Sequence, residues 1–88
     1  MRRWGQRPPA WPAMSARPVK HSLTLRGHRT SVSLEEEFWR AFREIAAEEG
    51  IALNALAARI DAERGIEAGL ASAIRVHVLR HFRAKNAD

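Results

Sequence analysis

The sequence predicts a mainly α fold, one short β-strand followed by three helices, assembled as an intertwined homodimer around a two-stranded antiparallel ribbon. Three observations predict it. A stretch ending at Leu34 alternates polar and apolar residues with a period of two, the signature of a half-buried strand. Three later segments space their apolar residues by three and four and are punctuated by glycine, as amphipathic helices are. The chain has 88 residues, so its core is small and a partner subunit is expected to complete it.

Residues 1–20 contain all four prolines and two of the three tryptophans, with no helical or strand period. They are expected to form a disordered basic arm, ahead of a folded domain over 21–84 and a tail over 85–88. Met14 is a candidate alternative start of translation, and Trp4 and Trp11 read as unstructured flank. Charge divides along the chain. The seven basic residues before Thr30 (Arg2, Arg3, Arg7, Arg17, Lys20, Arg26 and Arg29) face no acid, whereas all ten acidic residues follow it. A basic arm on a near-neutral body suits a polyanionic partner. The chain has no cysteine, which excludes disulfides and thiolate metal sites and fits a reducing, cytoplasmic setting. No apolar run approaches the roughly 20 residues of a membrane-spanning helix.

Within the alternating stretch, Leu23 and Leu25 fall at odd positions and Thr30, Val32 and Leu34 at even ones. A strand running straight through would put the two sets on opposite faces. A bend, bulge or turn is therefore expected at Arg26-Gly27, with His28 to Leu34 as the better strand. Ser33-Leu34-Glu35-Glu36 has the form of a capping box, followed by a first helix whose Phe38, Ala41, Phe42 and Ile45 share one face. Gly50 stops it. Trp39 flanks the stripe and is expected to pack at a subunit boundary. A second helix runs from about Ala52 to Arg64 on Leu53, Leu56, Ala57 and Ile60, closed by Gly65. The third, from about Leu70 to Arg83, steps through Leu70, Ile74, Val78 and Phe82, with Arg75, His77, Arg80, His81 and Arg83 on its other faces.

A single strand exposes unpaired backbone groups. Antiparallel pairing of His28–Leu34 with its own copy would satisfy them in a two-fold dimer. Val32 and Leu34 would then join Phe38, Phe42, Ile45, Leu56 and Ile60 in a dimer core. The opposite face carries Arg29, Ser31 and Ser33. A two-stranded ribbon fits the major groove of DNA, where an arginine can fork to guanine and small hydroxyls let the backbone approach. An ordinary solvated strand face is the alternative reading. Ser33 is claimed twice, since it cannot both cap the first helix and address a base, and the cap is favoured.

The run from His28 to Leu34, the helix ending Ala46-Ala47-Glu48-Glu49-Gly50, and Ile51-Ala52-Leu53-Asn54-Ala55-Leu56 together resemble the ribbon-helix-helix family of DNA-binding repressors. With the segment from Leu70 to Leu79 the likeness extends to about residue 82, in a short bacterial subgroup with an extra C-terminal helix. The resemblance implies a homodimeric transcriptional regulator, nucleoid-associated and without catalytic activity or cofactor. It implies base contacts at Arg29, Ser31 and Ser33, and a phosphate held at the start of the second helix by Ala52, Leu53 and Asn54. Relatives often carry serine or threonine at the position of Ala52, so the alanine implies a weaker clamp. Lys20 and Arg26 of the basic segment would add phosphate contacts, which position the protein without specifying sequence.

Other readings compete. His77 and His81 lie four apart on a helix, as zinc ligands can, but no third ligand accompanies them, so no metal site is expected. An antitoxin-like or other interaction module, with a protein partner at the C-terminal helix, is the main alternative. Antitoxin tails are typically disordered and often acidic, whereas this segment reads as an ordered basic amphipathic helix. The arm lacks the sustained apolar face a membrane-surface role requires.

Overall fold

The computed structural model describes residues 17–65 and 69–87. Two strands, β1 (Val19–Leu25) and β2 (His28–Leu34), precede three helices, α1 (Glu36–Glu49), α2 (Leu53–Glu63) and α3 (Leu70–Lys85). The fold is the expected mainly α assembly of ribbon and helices. It differs in one respect: the chain supplies two strands where the alternation suggested one.

The strands pair with each other as an antiparallel hairpin, with Leu25 opposite His28 and Val19 opposite Leu34. Arg26 and Gly27 form its two-residue turn, with φ of 52° and 84°. Positive φ at both central residues matches the primed turns whose twist suits a hairpin. Glycine adopts that conformation freely and arginine does not. The Arg26 side chain offsets part of its cost by donating from Nη2 to the Ala58 carbonyl at 3.4 Å. Because the loop holds two residues, odd positions before it and even positions after it share a face. The change of parity is therefore a hairpin turn, and it brings Leu23 and Leu25 into the core beside Val32 and Leu34. Strand β1 begins inside the segment expected to be arm. The readings of Trp4, Trp11 and Met14 lie outside the described residues.

The helices cover this apolar face. Phe42, Leu34, Ile45, Leu56 and Ile74 are the largest fully buried side chains, joined in the core by Ala46, Ala57, Ile60 and Val78. Residues expected to meet across a dimer, namely Val32, Leu34, Phe42, Ile45, Leu56 and Ile60, are thus buried within one chain, and Phe38 packs against them. Thr30 shares their face but is exposed near the turn.

Helix α1 ends with Gly50 at φ 70°; the Gly50 N–H donates to the Ala47 carbonyl and that of Ile51 to Ala46, both at 3.1 Å. This is a Schellman closure, which satisfies carbonyls the helix would leave unpaired. Its N-cap is Glu35, with no side-chain cap, which corrects the capping box. Leu34 must remain in the strand to reach the core, so Ser33 stays one residue back with its side chain on the far face. The end of α2 differs too. Arg64 is in extended conformation at φ −74°, so the helix turns out without a left-handed glycine at Gly65.

Helix α3 lies across α1 and α2 and runs two residues past the expected Arg83. Three of its basic residues meet carboxylates in α1 or at its N-cap. Arg75 donates to both carboxylate oxygens of Glu35, at 2.9 and 3.1 Å, and Lys85 donates to Glu48 at 2.7 Å. His81 meets the same glutamate at 3.1 Å. Exposed ion pairs contribute little individually; burial of Ile74 and Val78 in the core fixes which face of α3 turns inward.

Candidate nucleic-acid interface

The outer face of the hairpin follows from its register. Lys20 lies opposite Ser33, Ser22 opposite Ser31, and Thr24 opposite Arg29. All six side chains alternate with the buried residues and are exposed. The face bears two cations, four hydroxyls and no carboxylate, directly behind an apolar layer that fixes the strands. Arg29, Ser31 and Ser33 therefore stand together on one surface. Ser33 has no capping duty to divide it. Ser22 and Thr24 were missed in the sequence because the β1 alternation was read as a segment separated by a bend. The signal was the parity change at Arg26-Gly27, which a two-residue loop produces by construction.

Helix α2 begins beside this face. Ala52 is its N-cap with extended backbone and no side-chain cap, so the first amides, those of Leu53 and Asn54 among them, have no intrahelical acceptors. The side chain of Leu53 packs against the core, leaving only its backbone for a ligand. Asn54 Oδ1 accepts the Thr24 N–H at 3.1 Å, which orients its amide: the oxygen is occupied and the Nδ2 group remains a donor. Arg26 turns toward α2 and lies 4.0 Å from Asp61, so its charge is shared with a carboxylate.

The two edges of the hairpin are unequal. Along β1, Asn54 covers the Thr24 amide and Arg26 reaches Ala58. Along β2, no backbone bond outside the hairpin is made by Arg29, Ser31 or Ser33 among the described residues. That edge is open.

The remaining candidates are placed as follows. Trp39 stacks on His21 at 3.9 Å between ring centroids. His77 is partly buried, which together with nearby Arg59 pushes its pKa below the usual histidine value; its neighbour His81 is engaged with Glu48. Among the described residues no three potential ligands gather around a common point. On the outer side of α3, Val76 and Leu79 are 43% and 54% exposed, flanked by Phe38 and Phe82 in a shallow apolar groove. No helix among the described residues is long and apolar enough to cross a membrane.

A family model described as a ribbon-helix-helix domain matches residues 18–82, a span that takes in both strands and nearly all of α3. Searches of curated proteins and of solved structures give no match.

Proposed function

The chain belongs to the ribbon-helix-helix domain family, whose members are generally dimeric DNA-binding transcription regulators and not enzymes, and from that premise we propose a sequence-specific homodimeric regulator, acting as a cytoplasmic, nucleoid-associated repressor. The observation that carries the reading is the hairpin's outer face, wholly polar, cationic and free of carboxylates, held rigid by a closed apolar core. In this reading Arg29 forks to a guanine edge while Ser31 and Ser33 donate or accept at neighbouring bases. The free amides of Ala52, Leu53 and Asn54, with the Asn54 Nδ2 group, hold a phosphate at the positive end of the α2 dipole. Lys20 adds a phosphate contact, and Arg26 a weaker one because Asp61 shares its charge.

The open edge of β2 supports the dimer. Two copies pairing along His28–Leu34 would satisfy the edge groups of Arg29, Ser31 and Ser33, and each would bring a complete core, joined along the sheet. A second reading, a protein partner at α3 as in an antitoxin, is supported by exposed Val76 and Leu79. DNA binding is favoured because the family match and the polar face point the same way.

Selection of bound duplexes from a random-sequence pool, followed by titration of the winner and of single-base variants, tests the proposal. Arg29→Ala should lose about 1–3 kcal/mol of discrimination at one base pair per half-site. Equal binding of every duplex by the wild type, or unchanged discrimination in the variant, would overturn it.

A further inference from the structure

We propose that β1 forms the phosphate-facing flank of a four-stranded DNA-reading sheet, in which Lys20, Ser22 and Thr24 contact the backbone walls of the groove whose base edges β2 addresses. The proposal rests on the dimeric DNA-binding reading above and assigns a second strand to the interface.

The edge asymmetry sets the strand order. Asn54 occupies the outward Thr24 amide at the turn end of β1, whereas Arg29, Ser31 and Ser33 make no backbone bond outside the hairpin among the described residues, so the dimer proposed above adds its second copy at β2 and the sheet runs β1, β2, then the partner's β2 and β1. Antiparallel strands lie about 4.8 Å apart, which puts each β2 about 2.4 Å and each β1 about 7 Å from the two-fold axis. A major groove about 12 Å wide has its walls about 6 Å from its midline. Across the groove, β2 therefore lies toward the midline and β1 beside the phosphate walls.

The chemistry agrees with the dimensions. Lys20, Ser22 and Thr24 lie on the same exposed face as Ser33, Ser31 and Arg29, and each can donate to a phosphate oxygen, which only accepts. Lysine is a point charge suited to a phosphate, whereas the forked guanidinium of Arg29 suits a base edge. The start of α2 lies immediately outboard of Thr24, joined to it by the 3.1 Å Asn54 bond. The strip of donors thus continues from strand to helix amides along one wall.

The test titrates the full chain against a duplex selected by the wild type from a random pool and an unrelated duplex of equal length, over a range of salt. Lys20→Ala should weaken both by the same factor and reduce the log–log salt slope by about 2 for a dimer releasing one counterion-equivalent per copy. The double variant Ser22→Ala/Thr24→Ala should weaken both equally with the slope unchanged, because its donors are neutral. All three positions are exposed, and thermal melts matching the wild type check that each variant is folded. A changed preference between the duplexes in either variant would mean that β1 reads bases, and unchanged affinity for both would mean that β1 is off the DNA. Each overturns the proposal alone, provided the wild type keeps its preference. A wild type without preference overturns the underlying reading, and this proposal with it.

Discussion

Replacing Ser31 by proline separates pairing within the chain from pairing between chains. The Arg26-Gly27 turn makes Leu25 and His28 a hydrogen-bonded pair, and bonded and open pairs alternate from there along the register. Thr30, opposite Leu23, directs its N–H at β1, while Ser31, opposite Ser22, directs it away. The corresponding open-pair residue of β1, Thr24, has its N–H on Asn54 rather than on β2, as the alternation requires. Ser31→Pro therefore removes no bond from the hairpin, and proline is tolerated where a strand N–H faces solvent. In the proposed dimer it would delete two cross-interface bonds, one per copy, each contributing about 1 kcal/mol, and strand their acceptors at up to about 1 kcal/mol more apiece. The sum of about 2–4 kcal/mol corresponds to dimerisation weakened on the order of 30- to 1,000-fold. Thr30→Pro, one residue earlier, breaks a bond inside the hairpin and should lower the thermal stability of the monomer instead. Sedimentation equilibrium reads the first effect, and circular-dichroism melts at concentrations where the chain is monomeric read the second. Ser31→Pro dimerising as tightly as the wild type, or costing the monomer as much stability as Thr30→Pro, would refute the assignment of the edge.

Two further outcomes follow from side-chain partners. Asn54→Ala uncovers the Thr24 amide and should destabilise the fold by about 1 kcal/mol, and should weaken DNA binding without changing base preference, read by denaturant titration and by binding to matched and mismatched duplexes. Stability should also fall with acid in two stages. Burial, then the Arg59 charge, depresses the His77 pKa below 6.5, so the unfolded chain takes up that proton more readily; the contribution is complete above pH 6.5 and fades as pH falls through the folded value. The hydrogen bond from Arg75 lowers Glu35, and that from Lys85 ahead of His81 lowers Glu48, both from 4.5. Their contributions are present above pH 4.5 and disappear below it. Denaturation midpoints measured from about pH 8 to about pH 3 should lose the upper stage in His77→Gln and part of the lower one in Arg75→Ala.

What the sequence determined by itself is the local pattern. The stripes Phe38, Ala41, Phe42 and Ile45, then Leu53, Leu56, Ala57 and Ile60, then Leu70, Ile74, Val78 and Phe82, mark three helices because a period near 3.6 leaves one face to bury. Gly50 marks a stop because its left-handed cap requires φ near 70°. The alternation around Arg29, Ser31 and Ser33 marks an outward face because strand side chains reverse at every residue. Each of these depends on neighbours a few positions apart, which a linear pattern records.

Tertiary structure alone decided the pairings between distant positions. The parity change at Arg26-Gly27 fits a bend, a bulge or a hairpin equally, and only the meeting of Leu23 and Leu25 with Val32 and Leu34 over one core selects the hairpin. Ser33 matches a capping box, yet burial of Leu34 holds it in the strand and moves the cap to Glu35. Asn54 caps the Thr24 amide of β1 across thirty residues, and Arg75 meets Glu35 across forty. Spacing cannot reveal such contacts, because loop closure brings them together only when the whole apolar face is covered. The ribbon is therefore legible in the sequence as a surface, while its second strand is set by packing.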